Sequence, residues 1–212
     1  MANDYRNTKY CPTFEKMEQK KAKVVEMILA DHPGEEDMHK FISQNDGPYK
    51  LPFMQVYNCK CGYCGVSLEL IPKHLFEVDH FIYEKSPKFK GNKAAASHID
   101  NLVLSCQLCN RSKNALNIPD EFQDKLSPDS ETLTSIFVRD EQYYIQISEQ
   151  QKGIPFIEQF HTRLKLGSEI HRLDYLLMSM IGLQSKHVGN QKVYHLLGQA
   201  IDILRLKRNI MG

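Results

Sequence analysis

What this chain has little of sets the first limits on it. There is no tryptophan, only 11 glycines and 9 prolines in 212 residues, and lysine plus arginine outnumber aspartate plus glutamate by one. A collagenous, mucin-like or wholly disordered chain is excluded by that composition, with 42% hydrophobic and 25% charged residues. No run approaches the roughly 20 apolar residues of a membrane helix. The opening residues MANDYRNTKYCPTF carry neither a basic n-region nor an apolar h-region, so a cytoplasmic protein is expected. The absence of excess charge also argues against a protein that coats nucleic acid electrostatically, and confines any such contact to a local patch. No internal repeat or low-complexity tract is present. A chain of this length buries roughly 70% of its unfolded surface, so size alone demands neither metal nor disulfide.

Against these absences stand six cysteines. In a reducing compartment, metal ligation or catalysis explains clustered thiols better than disulfides do. Three regions follow from the pattern around them. Residues 1–57 read as a helical scaffold: a helix over 13–30 with Thr13 as N-cap, a shorter one over about 35–44, and a break at Asp46-Gly47-Pro48. Residues 58–118 hold the cysteines, a β-rich run at 75–83, a basic loop at 85–93 and an apolar run at 102–104. Residues 119–212 begin with a Pro, Ser and Asp-rich connection and continue as two short strands about Asp140-Glu141. Helical periodicity then returns over 153–183 and 189–209, where Leu196, Leu197, Ala200, Ile203, Leu204 and Leu206 form an apolar stripe.

The central chemistry begins with Cys61-Gly62-Tyr63-Cys64 and Cys106-Gln107-Leu108-Cys109. Two Cys-x-x-Cys knuckles supply the four thiolates of a tetrahedral structural zinc site, whereas a thioredoxin-like redox motif occurs singly beside a βαβ unit. The knuckles stand further apart than in a simple zinc ribbon, so the segment between them must start and end near the metal, as an inserted hairpin would. Cys59 and Cys11 are expected to be ordinary thiols, because Cys59-Lys60-Cys61 is too short for the knuckle turn.

Between and around the knuckles lie Val78-Asp79-His80-Phe81-Ile82, Asn101-Leu102-Val103-Leu104 and Cys109-Asn110-Arg111-Ser112-Lys113. Over residues 59–114 this order resembles the zinc-binding subgroup of HNH endonucleases. The resemblance implies an α+β fold with a ββα-metal, treble-clef-like core, in which one divalent cation, magnesium or manganese, assists a histidine in cleaving a phosphodiester. It casts His80 as general base, Asp79 and Asn110 as ligands of the catalytic cation, and Asn101 as the residue that holds the His80 loop. Asn110 stands where many members of the family have histidine, which shifts the preference toward magnesium or manganese.

The chemistry asks for the same residue types independently of the family. Phosphodiester hydrolysis needs a base for water, and histidine titrates near operating pH. It also needs a cation for the developing charge, and hard magnesium prefers carboxylate and amide oxygens. Adjacent strand residues point to opposite faces, so Asp79 and His80 converge only if the strand ends, bends or bulges there. Asn114 lies one turn beyond Asn110 and is read first as a helix terminator, second as a further oxygen donor.

From Ile82 to Lys113, Lys85, Lys88, Lys90, Lys93, Arg111 and Lys113 exceed Glu84 and Asp100 by four charges, which marks the expected approach of a nucleic acid, DNA before RNA. The ribbon-and-helices layout after residue 119 is similar to the HNH nucleases of the Septu and retron-associated anti-phage systems. That likeness implies a partner ATPase or a homo-oligomer and a role in antiviral defence. The rival from another class is a non-catalytic zinc module that binds nucleic acid or protein, for which Asp79 and His80 together would be superfluous.

Overall fold

Competition for backbone groups decides where the first helix starts. The computed structural model describes residues 4–211, so residues 1–3 of the N-terminal stretch read above lie outside the described residues. Helix α1 runs Met17–Asp31 instead of starting after Thr13. The carbonyls of Pro12 and Thr13 accept hydrogen bonds from Lys60 Nζ and Asn58 Nδ2, each at 2.5 Å, so this stretch is committed to residues 58–60 and cannot enter the helix ladder. Helix α2, Met38–Ile42, is shorter than the spacing predicts, because the Asp37 carboxylate caps it by accepting from the Lys40 N–H. Helix α3, Lys50–Val56, follows the Asp46-Gly47-Pro48 break. Ile28, Ile42 and Phe53 bury completely where the three helices meet.

The centre of the molecule is an antiparallel pair, β1 (Phe76–His80) and β2 (Leu102–Cys106), with Val78 opposite Leu104 and His80 opposite Leu102. Their long connection contains a short helix α4, Lys93–Ala96. β2 runs directly into α5, Gln107–Lys113, whose N-cap is Cys106. Strand, strand, helix: this is the ββα unit of an α+β fold. β1 stops at His80 although the β-rich residues continue to Tyr83, because Asn101 captures the next backbone groups, as described below.

Helices α6 (Asp120–Leu126) and α7 (Leu133–Ile136) lead into a second ribbon, β3 (Phe137–Arg139) and β4 (Ile145–Ile147). The segment 153–183 is two helices, not one: α8, Pro155–Arg163, and α9, Glu169–Lys186. Between them the Leu166 N–H bonds His161 O and the Lys165 N–H bonds Thr162 O, each at 3.1 Å, with Lys165 at φ 53°. That is a Schellman ending, and burying Leu166 outweighs continued helix.

Helix α10, Gln191–Met211, packs against α9. Its apolar stripe is only partly covered: Ile201 is the buried residue, while Leu196, Ile203, Leu206 and Ile210 face outward. One neighbouring helix covers one face. Among the described residues, no helix is long and apolar enough to cross a membrane.

Buried charge joins the N-terminus and the segment after α6 to the centre. The Arg6 guanidinium pairs with Asp4 and donates to the carbonyls of Gly62 and Pro128 at 2.8 and 2.7 Å. Lys21 Nζ reaches Leu102 O and Asp129. Each buried cation is thereby compensated, the condition for tolerating it in a core.

Candidate active site and metal centre

The two knuckles meet at one point. The sulfurs of Cys61, Cys64, Cys106 and Cys109 all lie within 4.8 Å of one another and are buried. Cys64 Sγ and Cys106 Sγ are 3.8 Å apart, and a tetrahedron with zinc–sulfur arms of about 2.3 Å has edges of about 3.8 Å. Backbone N–H groups aim at the sulfurs, Tyr63 N at Cys61 Sγ (3.4 Å) and Cys109 N at Cys106 Sγ (3.5 Å). Burial pushes the Cys64 and Cys109 thiols up, so full ionisation of the four needs a cation among them. The residues present therefore fit a structural zinc.

Gly65 makes the first knuckle possible. It sits at φ +82°, and a Cβ there would stand 2.2 Å from the Arg6 carbonyl oxygen. Cys11 and Cys59 lie outside the cluster as free thiols.

A second, smaller site lies on the far side of α5. A cleft of about 390 Å³ is lined by His39, Asp79, His80, Tyr83, Glu84, Asn110, Arg111 and Asn114. His80 ends β1, and its ring lies against His39 from α2, with centroids 4.4 Å apart. Its Nε2 is 3.3 Å from Ser97 Oγ. Burial, then the neighbouring His39 and Lys113, lower the His80 pKa to about 4. His80 is thus neutral at physiological pH, with a nitrogen lone pair available. His39 Nε2 donates to Val78 O at 3.3 Å, which fixes its tautomer; burial lowers its pKa as well.

Asp79 points away from His80, toward α5. Its Oδ1 accepts from Lys113 Nζ at 2.9 Å and its Oδ2 from Tyr63 OH at 2.5 Å. Burial raises its pKa, against the lowering by the Lys113 ammonium and the Tyr63 hydroxyl. Lys113 Nζ also donates to His80 O at 2.8 Å. One buried ammonium therefore holds both members of the Asp-His pair. Asn110 sits beside them, its Nδ2 donating to Glu77 Oε2 at 2.7 Å, which leaves Oδ1 as its acceptor toward a cation.

Asn101 is a brace. Its side chain accepts from Ile82 N at 2.8 Å and donates to Ile82 O and Ala96 O at 2.9 and 2.8 Å, while its carbonyl accepts from Phe81 N at 2.8 Å. Four bonds from one residue fix the chain leaving His80, and its side chain does not line the cleft. Asn114 terminates α5 at φ 48° and also lines the cleft.

The six cations do not form one surface. Lys113 is 1% exposed and fully engaged, so it cannot meet a nucleic acid in this arrangement. Lys88 reaches Gln123, Lys93 pairs with Asp37, and Arg111 shares Glu77 with Asn110. Lys85 and Lys90 project into solvent.

Sequence reasoning missed four contributors. His39 and Ser97 arrive from elements that read as scaffold and loop, and only tertiary contact brings them to His80. Glu77 had a legible signal, being two residues before Asp79 and so on the same strand face. His171, on α9, places Nε2 3.7 Å from Cys109 Sγ, with no sequence pattern announcing it.

Residues 61–116 match the family model described as HNH endonuclease. The match takes in 56 of the chain's 212 residues, so it is the centre of the chain that is similar to an HNH endonuclease. The matched segment holds both knuckles, β1, β2 and α5, and it contains Asp79, His80, Asn101 and Asn110. No curated protein and no solved structure matches the chain.

Proposed function

We propose that the HNH domain is a metal-dependent endonuclease that hydrolyses phosphodiester bonds in DNA, with His80 as the base. The observation that carries this reading is the placement of a neutral histidine at a strand end, inside a cleft that also holds an amide and a carboxylate edge. His80 accepts the proton of the attacking water, and Ser97 and His39 restrain its ring. Asn101 keeps the following loop from collapsing onto it. The divalent cation, magnesium or manganese, would be held by Asp79 and Asn110 and would supply electrostatic stabilisation of the developing phosphorane-like charge. For that, Asp79 must share an oxygen now bonded to Lys113 or Tyr63.

That engagement also favours a second reading, the non-catalytic zinc module, in which Asp79 and Lys113 merely staple α5 to β1. One experiment separates them. His80→Ala should lose about 10²- to 10⁴-fold in cleavage at every metal concentration while keeping zinc and fold, the contribution of a positioned base. Asn110→Ala should recover partly at high magnesium, since occupancy obeys mass action. Cleavage by His80→Ala at the parental rate on plasmid, single-stranded DNA and RNA would overturn the nuclease reading.

The anti-phage setting and a partner chain, an ATPase or a second copy, rest on the likeness of the ribbon-and-helices layout. The outward face of α10 supports a partner, because Leu196, Ile203 and Ile210 recur every seven residues and stay exposed. Co-purification from the native host tests it.

A further inference from the structure

A second concavity among the described residues is larger than the His80 cleft. A groove of about 770 Å³ lies between α5 and the C-terminal helices, and Arg111 lines both it and the cleft. Its floor includes Ile71, Leu75 and Leu108, and its walls carry Arg163, Lys165 and Arg208. The acid that lines it is Asp174, which is buried and spent on Arg208, Nε to Oδ1 at 2.5 Å. Arg163 and Lys165 are exposed and have no carboxylate within ion-pair distance among the described residues.

We infer that this groove seats the phosphate backbone of duplex DNA flanking the bond at His80, with Arg163 and Lys165 as the contacting cations; the inference rests on the nuclease reading above. Three observations carry it. Two unpaired cations border a groove whose one lining carboxylate is already neutralised, in a chain of net charge +1. Arg111 borders both the groove and the cleft, which suits a polymer that reaches both better than a small anion confined to one. Lys165 also holds a left-handed C′ position where glycine is the usual occupant. A lysine there costs on the order of 1 kcal/mol, yet the Schellman bonds hold it and fix the base of its side chain.

The test is binding of the full zinc-loaded chain to uncut duplex, with His80→Ala in the background to prevent cleavage. Arg163→Gln with Lys165→Gln should lower the slope of log affinity against log salt by roughly 2 on a duplex of about 30 base pairs, one unit for each lost phosphate contact. On a single-stranded dinucleotide, which the His80 cleft alone can hold, affinity should not change. Ser112→Glu, which puts an acid into the groove from α5 without touching α8, should weaken the long duplex in the same selective way.

An unchanged slope for both variants, or equal losses on the duplex and the dinucleotide, would overturn the inference. The cations would then serve only the C-terminal dipole of α8, and a lowered melting temperature would be their sole trace. If the double variant unfolds, Ser112→Glu decides alone. Because binding is read on uncut duplex, failure of the groove is distinct from failure of the nuclease reading, which shows as absence of cleavage by the parent chain.

Discussion

The zinc centre and the His80 cleft share α5, yet they are built on opposite terms. Cys109 and Asn110 are neighbours in sequence and face different sites across one helix. At the centre, four sulfurs converge in a closed, buried shell with spacings already right for the ion. At the cleft, the polar groups bind one another: Asp79 to Lys113, Asn110 to Glu77, His80 against His39. A closed shell serves stability, because binding energy and folding energy become one quantity. A half-open site whose polar groups hold only one another leaves those partners exchangeable, which is what the proposed cation requires.

The sharpest way to break that contrast is to remove the zinc. Apparent binding energies of roughly 10–16 kcal/mol rival the roughly 5–15 kcal/mol stability of a whole domain. Cys106→Ser, or strong chelation, should therefore unfold the central unit, as followed by circular dichroism with metal analysis. A Cys106→Ser protein that melts like the parent would move the zinc centre out of the stability column.

Next in size is Lys113→Met, which leaves the Asp79 carboxylate buried beside Tyr63 alone. Loss of one partner of a buried pair costs about 3–5 kcal/mol, so the melting temperature should drop well beyond what Asn110→Ala produces. Lys113→Met with Asp79→Asn should regain most of the loss, since no buried charge remains. A double variant no better than the single would mean that Lys113 acts through His80 O instead.

A smaller effect tests how far α9 supports the cysteine centre. His171 donates toward the Cys109 sulfur from α9, and outer-sphere partners of this kind are worth about 10- to 100-fold in metal affinity. His171→Phe should accordingly release zinc faster to a competing chelator while the parent and variant start with equal zinc content. Identical release would reduce His171 to a packed ring.

The smallest expected effect is the pH dependence from His80. Its folded-state value, about 4, lies below the ordinary 6.5. Between those values the unfolded chain binds a proton that the native cleft does not, so stability is present above about 6.5 and is lost as pH falls toward 4. His80→Ala should flatten that part of a stability-against-pH curve, and the neutral base should keep cleavage from declining until pH approaches the lower value. Because His80 is only half-buried, solvent screening keeps the stability change modest.

Much of this was written in short-range sequence. The two knuckles pointed to the metal chemistry, since two residues between cysteines let their sulfurs face one ion and two such pairs complete a four-sulfur shell. The limit of β1 was not legible, since the β-rich run continues to Tyr83, but strand alternation foretold that Asp79 and His80 would diverge unless the strand ended, bent or bulged there. β1 stops at His80, and Asp79 still turns toward α5 and away from the histidine. Helix limits were less legible: Thr13 reads as a cap, but its carbonyl is claimed by Asn58, a residue far along the chain.

What only tertiary structure decided is the state of each charge. Sequence counts Lys113 with five other cations and Asp79 as a ligand; packing α5 onto β1 turns the two toward each other and out of water. His39 and His171 come to their sites from helices that carry no motif, because contact between distant segments leaves no periodic trace in either one. The exposed face of α10 belongs to the same class, its stripe being plain in sequence and its partner undetermined by it. Residue type and local spacing set what chemistry is possible here. Burial and long-range pairing set which of those groups are free to perform it, because desolvation and counter-charge act through space and not along the chain.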